Sequence, residues 1–349
     1  MLRKFSPLFL LLILPFLAEA RPTSFDTLRF RPATDQGLYL QIYGAELLER
    51  RQWSAGFHLD YVREPLAVID LNDNRQPVVR DLIGAHLSAA VGLLDWLEVG
   101  INPNIALYEK FFDPVTGAQS SHIRLGDTRV GARIRLLSKE DYPIGIALIP
   151  FIDLPTGSGA SYVGNNSFAG GGLFALETRR IEERLTFAMN LGYWARDRVV
   201  VVGTPFDDLL TFGLAGNFLV VRWLELIAEF QGGTTVSGLF EPSGTPFEGG
   251  GGARYSIGKE RRIQITTAVS AGVGSGLGNP SIRGVVGLSY TPPRRVKGVE
   301  IQESATEAFQ VYELQVPDEM ERLRQICPER QNFNKDRDDP RCIKLYLSQ

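Results

Sequence analysis

The chain has 349 residues, with 37 Lys and Arg against 40 Asp and Glu, 36 glycines and two cysteines. A net charge of −3 with both signs mixed argues against nucleic acid as a partner, and so few cysteines exclude a scaffold built on disulfides. The length admits one large β domain plus an appendix.

Residues 1–20 have the form of a secretion signal. Arg3 and Lys4 supply the positive end, Leu8 to Leu17 the apolar core, and Ala18-Glu19-Ala20 a cleavage site, so the mature chain is expected to start at Arg21. That core is far short of the ~20 residues of a spanning helix. The next apolar stretch, Phe218 to Phe230, is broken by Arg222, Glu225 and Glu229. If the exported chain sits in a membrane it does so as a closed barrel, because only helices and barrels satisfy their backbone in lipid.

Residues 21–50 alternate weakly around Leu38, Leu40 and Ile42 and read as a lead-in able to add a pair of strands. From Trp53 a two-residue rhythm is firm: Trp53, Ala55, Phe57, Leu59 and Tyr61 oppose Ser54, Gly56, His58 and Asp60. From Val79 to Glu109 it makes a hairpin. Ile83, Leu87, Val91 and Leu93 share one face and Gly84, His86, Ser88 and Gly92 the other; past Leu94-Asp95, Leu97, Val99, Ile101, Ile105 and Leu107 oppose Glu98, Gly100, Asn102, Asn104, Ala106 and Tyr108. Side chains alternate sides along a strand, and these arms suit the ~9–11 residues that cross a bilayer tilted. Further strands are expected over Leu125 to Leu137, Ile144 to Leu154, Phe168 to Thr178, Leu185 to Tyr193, Leu210 to Phe218, Trp223 to Gln231, Gly251 to Ile257, Ile263 to Val273 and Ile282 to Tyr290.

Connections alternate in length. Short ones lie at Leu94-Asp95, Lys139-Asp141, Ile181-Glu183, Val221-Arg222 and Lys259-Arg261, and long Gly/Pro/Asn-rich ones fall between them. That is the pattern of an outer-membrane barrel. The fold class expected is all-β: an antiparallel transmembrane up-and-down β-barrel of about twelve strands (range ten to fourteen) over 51–292, with both ends on the periplasmic side. Trp53, Trp96, Trp223 and Tyr290 beside short turns, and Tyr61, Tyr108, Trp194 and Phe230 beside long loops, form two aromatic girdles. Residues 293–349 form a short periplasmic tail, with a helix from Pro317 to about Ile326.

Four stretches, LRFRPATDQGLYL, GAHLSAAVGLLDWLEVG, LGDTRVGARIRLL and LPTGSGASYVGNNSFAGG, together resemble the barrel half of OmpA-family outer-membrane proteins across about residues 25–298. The resemblance implies a following calcium-binding Asp-rich linker and a peptidoglycan-binding domain. Here CPERQNFNKDRDDPRC is similar to one degenerate Asp-rich repeat, and the sequence given leaves no room for the second domain, which puts a cell-wall tether in doubt.

The polar face carries Glu98, Asp127, Arg129, Arg133, Arg135, Glu225, Glu229, Arg254 and Arg283. Each is expected to point into the lumen, because an arginine facing lipid at mid-depth costs about 2–4 kcal/mol. Two readings stay open: a salt-bridged lumen that fills the barrel, or a polar conduit in which Arg129, Arg133 and Arg135 attract anionic solutes. His58, His86 and His122 lack ligand spacing, and Ser158 and Ser275 lack the flanking glycines of a nucleophile elbow. Asp336, Asp338 and Asp339, with Arg337 between them, read as a solvated turn. No catalytic residue, metal or cofactor is therefore expected, and the chain does not read as an enzyme. Cys327 and Cys342 are expected to form a disulfide in an oxidising compartment; the alternative is two free thiols in a disordered end.

Three functions follow from this. The first is a porin- or transporter-like outer-membrane conduit for a small solute. The second is a structural envelope barrel with a plugged lumen, whose periplasmic tail binds a partner. The third is a barrel enzyme acting on lipids. Outer-membrane lipid surrounds the protein in each.

Overall fold

The computed structural model describes residues 25–69, 75–112, 119–121, 123–157, 162–165, 167–201, 204–258, 260–292 and 327. The secretion signal, His122, Ser158, the helix expected at Pro317, the acidic turn at Asp336 and Cys342 lie outside them. The chain divides into two units, Met1–Arg294 and Arg295–Gln349, and Cys327 is the described residue of the second.

Among the described residues seventeen strands follow in order: β1 (Trp53–Ile69), β2 (Arg75–Leu94), β3 (Leu97–Asn102), β4 (Asn104–Phe112), β5 (Gln119–Ser121), β6 (Arg124–Leu125), β7 (Thr128–Leu137), β8 (Ile144–Leu154) and β9 (Ala169–Thr178). After these come β10 (Leu185–Ala195), β11 (Val199–Val201), β12 (Thr204–Phe206), β13 (Leu209–Val221), β14 (Leu224–Thr235), β15 (Phe247–Ile257), β16 (Ile263–Val273) and β17 (Ile282–Tyr290). They build one closed antiparallel barrel of 12 wall strands. β3 and β4 act as a single wall strand interrupted at Pro103, β5 and β6 pair with β4 in the same sheet, and β11 and β12 form a separate two-stranded sheet. β1 closes the ring by pairing with β17 on one side and β2 on the other. Among the described residues no helix is long and apolar enough to cross a membrane; strands do the crossing.

The alternation sets the two faces. Phe57, Leu87, Leu191, Leu214, Leu226, Val269 and Val286 are exposed on the outside, while Ser54, Ser88, Thr186, Asn217 and Ser289 between them are buried. An apolar band of this extent is an association surface in water and the matching face in lipid. At the short-turn rim Trp53 stacks on Tyr290, ring centroids 4.4 Å apart, and Trp223 meets Tyr255 at 5.3 Å.

Three details depart from the sequence expectation. A bulge in β4 shifts the register between Ile83/Tyr108 and Gly84/Ala106, so Tyr108 faces outward and Glu109 is buried. Trp194 turns inward instead of joining the outer girdle, because its neighbour Tyr193 takes the exposed position. The stretch Asp197–Asp207 carries the β11–β12 hairpin.

The lead-in is the largest departure. It adds no strand to the wall; residues 25–49 pass through the lumen. At the long-loop rim Phe25 packs with Leu66, Val79, Phe206 and Leu277. The segment descends past Phe30, which meets His86 edge-on at 5.1 Å, and turns at Ala33–Gln36. It then sweeps around the wall to Leu48 and Glu49, whose carbonyl oxygens lie where a side chain at Gly92 would project. Leu28, Phe30, Tyr39, Ile42, Leu47 and Leu48 are all buried by this path, which offsets the entropy of ordering the segment.

Facing decides how position 87 differs from position 88. Leu87→Arg puts a charge against lipid at about 2–4 kcal/mol and is expected to abolish the folded, heat-modifiable band in gel assays of membrane insertion. Ser88→Arg leaves the lipid face intact but displaces Gln36, whose Nε2 lies 2.6 Å from Ser88 Oγ. This variant should insert and expose the lumen segment to protease. Equal insertion of the two would refute the face assignment.

Candidate functional site

The lumen segment has few backbone partners of its own, so its N–H and C=O groups must be satisfied by the wall. They are, by one polar side chain after another. Arg254 on β15 donates to the Gly37 carbonyl and, from Nη2, to that of Tyr39 at 2.8 Å. Asn217 on β13 donates to the Leu38 carbonyl at 3.0 Å. Glu229 on β14 accepts from the backbone N–H of Leu40 at 2.5 Å, and also from Gln41 and Ile42. Asn190 on β10 closes both groups of Tyr43, each at 2.8 Å. Arg133 on β7 donates to the carbonyls of Gly44 and Glu46, Glu177 on β9 accepts from Ala45, and Glu98 on β3 accepts from Leu48. Close approach needs small wall residues as well: a Cβ at Gly213 would collide with Ile42.

Charge clusters tie this arrangement together. Arg133 joins Asp35 of the lumen segment at 2.8 Å and Glu98 at 3.1 Å. Arg283 bridges Asp60 and Glu248, and Asp60 also takes His86 Nε2 at 2.8 Å, whose Nδ1 meets Asn104. His58 and His86 stand opposite each other across β1 and β2. Arg129 grips Asp153 with two bonds of 2.8 Å and lies 3.8 Å over the Phe151 ring. Glu225 faces Arg180 at 3.7 Å, and Arg135, at the short-turn rim, donates to the Asp95 carbonyl. Asp127, in the two-residue break between β6 and β7, accepts from the N–H of Gly157 and Asn165.

Charge alone did not identify the whole set. Asn190 and Asn217 hold the segment as directly as the charged residues, and the available signal was an amide among small residues on the lumen face. Glu177 and Asp153 lie on strands whose two faces the sequence separates poorly, and Glu248 lies ahead of the strand expected from Gly251, which starts at Phe247.

No protein-family model and no curated protein matches the sequence. Among solved structures, an outer-membrane channel from Pseudomonas putida F1 superposes with a TM-score of 0.54, covering 70% of this chain and 97% of that one at 12% identity. The fold is that of an outer-membrane β-barrel. The NanC porin gives 0.47 over 68% of this chain and 99% of that one at 9% identity. A FadL homologue from Pseudomonas aeruginosa gives 0.35 over 78% and 99% at 10% identity.

Glu229 offers the sharpest test of the wall ladder. Glu229→Ala opens three N–H groups, at a cost on the order of 1–3 kcal/mol for each donor left buried without a partner. Hydrogen exchange at Leu40, Gln41 and Ile42 should accelerate at least tenfold while β16 amides keep their protection. Unchanged exchange at these three positions would mean the ladder does not hold the segment.

Proposed function

We propose that this protein is a transporter-like barrel of the bacterial outer membrane whose conduit is closed, in this state, by its own residues 25–49. The observation that carries the reading is the ladder itself: a wall built to hold an extended chain by its backbone at the place where a conduit would run. The passenger is an unidentified small solute, and outer-membrane lipid is the surrounding partner; nucleic acid has no part in it. A role without catalysis is part of the same proposal. It is supported by the engagement of the inward groups in holding backbone or one another, the Asp60–His86–Asn104 chain included. Kinship with the OmpA family remains a proposal resting on the four sequence stretches above.

A second reading draws on the same closure: a structural envelope barrel, permanently filled, whose periplasmic tail at 293–349 binds a partner. Planar-bilayer recordings separate the two. The intact protein should show rare, small openings, and deletion of residues 25–48 should give stable conductance steps at least several-fold larger. Since that deletion removes many buried contacts, the milder pair Glu229→Ala and Arg254→Gln serves as a second variant and should raise the opening frequency. Silence from both variants, with barrels shown folded by heat-modifiability, would leave the structural reading standing.

The tail disulfide is proposed on chemical grounds: Cys327 and Cys342 are the only cysteines, and the compartment is oxidising. Closing a loop of about fifteen residues is worth roughly 3 kcal/mol by chain entropy. Cys327→Ser with Cys342→Ser should leave the barrel's heat resistance unchanged while the tail becomes protease-sensitive. Two thiols titrating in protein purified without reductant would disprove the bond.

A further inference from the structure

On the long-loop side of the lumen segment a cavity of about 170 Å³ stays open, lined in part by Arg29, Arg129, Arg196, Trp194, Phe206 and Phe247. Its charges are unevenly matched. Of the four arginines that line it, Arg129 is held by Asp153 and Arg31 by Asp26. Glu248, also on the lining, is taken by Arg283. Arg29 and Arg196 have no carboxylate within ion-pair distance among the described residues. Arg29 reaches only the Leu277 carbonyl, at 3.5 Å. Arg196 places Nε on the Asp207 carbonyl at 2.9 Å, and its Nη2 is buried with no partner.

The guanidinium of Arg196 lies 5.4 Å from the Trp194 ring and 5.6 Å from that of Phe206, and Phe206 packs edge-on against Phe25 at 5.1 Å. Burial, then the neighbouring charge of Arg29, lowers the Arg196 pKa to about 10, against a partial offset from Asp26, Asp207 and Asp208. A guanidinium fork presents paired donors matched to a planar carboxylate. Leaving a buried donor open is costly, so a group that accepts from Arg196 Nη2 is favoured there. The volume sets the size. An apolar cavity near 150 Å³ holds benzene, so about 170 Å³ takes a planar body of that size with a small charged group.

We propose that this chamber is a binding site for a small aromatic carboxylate, the carboxylate on Arg196 and Arg29 and the ring beside Trp194 and Phe206. The site deepens the transport reading by naming a solute class, but binding to the closed barrel does not require conduction. Failure of one is therefore distinguishable from failure of the other.

The test is calorimetry and Trp194 fluorescence on the full-length protein in detergent, with benzoate as probe, and with benzyl alcohol and inorganic phosphate as comparison ligands. Benzoate should bind saturably and shift the tryptophan emission. A Trp194→Phe variant should lose that emission change while keeping the calorimetric signal. Benzyl alcohol, of like shape but neutral, should bind at least tenfold more weakly. Arg196→Gln and Arg29→Gln should each weaken benzoate at least tenfold, and Arg196→Lys, which keeps the charge but not the fork, should fall between. Heat-modifiability of each variant establishes that the barrel is folded, and Arg135→Gln at the opposite rim should bind benzoate like the parent. Phosphate binding as tightly as benzoate would overturn the aromatic assignment. Benzyl alcohol binding equally well, or benzoate affinity indifferent to both arginine substitutions, would overturn the site.

Discussion

An extended chain threaded through a barrel carries polar backbone groups into a space where neither a neighbouring strand nor bulk water serves them, and this constraint shapes the interior. Each unsatisfied group there costs on the order of 1–3 kcal/mol, so the wall must answer residue by residue. It does so with side chains of fixed chemistry: arginine and asparagine where the segment turns a carbonyl outward, glutamate and asparagine where it turns an N–H. Five of the inward charges that look like the lining of a pore, Glu98, Arg133, Glu177, Glu229 and Arg254, are thus hydrogen-bonding partners of a peptide.

The wall's tolerance for charge follows from the same arrangement. A buried carboxylate or guanidinium is stable only when paired or fully hydrogen-bonded. Arg133 meets this by combining two backbone carbonyls with Asp35 and Glu98, and Glu229 by spanning three successive N–H groups. Removal of the segment would therefore leave these groups facing an open lumen, where water can enter and solvate them. A closed and an open barrel differ in who satisfies the wall, and both arrangements satisfy it.

How much of this the sequence discloses depends on the kind of signal. Strands and facing were legible because lipid on one side and a polar interior on the other enforce a strict period of two, as from Ile83 to Leu93. The period fails locally where a bulge inserts a residue, which is why Tyr108 and Glu109 exchange sides. The lumen segment was illegible for a physical reason. Its side chains are satisfied by packing on many different strands, Tyr39 and Ile42 near Ala188 and Ala215, Ala33 and Leu47 near Ala147 and Ala175, so no single period governs it. Its chief partners recognise backbone, which carries no residue-specific signature. The weak alternation around Leu38, Leu40 and Ile42 was present in the sequence, but an internal chain and an additional strand pair share that feature.

The two ends of the segment are held by different forces, and that asymmetry bears on how it would leave. Near the short-turn rim its acids Asp35 and Glu46 are pinned by Arg133 at 2.8 Å and Lys139 at 3.0 Å. At the long-loop rim the attachment is apolar through Phe25 and otherwise made of hydrogen bonds: the Thr27 N–H and hydroxyl to the Tyr162 carbonyl, Arg29 to that of Leu277, and the Gly164 N–H to Asp26. Between them the ladder grips backbone, and a backbone contact accepts any side chain at that position. Register is therefore fixed by the ion pairs and by the fit of bulky side chains against small wall residues such as Gly213. Burying Asp35 with Arg133 makes that pair expensive to break singly, because each partner alone would be an uncompensated charge. The apolar end at Phe25 carries no such penalty. Release of the segment should accordingly begin at the long-loop rim, beside the arginine-lined chamber, and end at the Arg133 anchor.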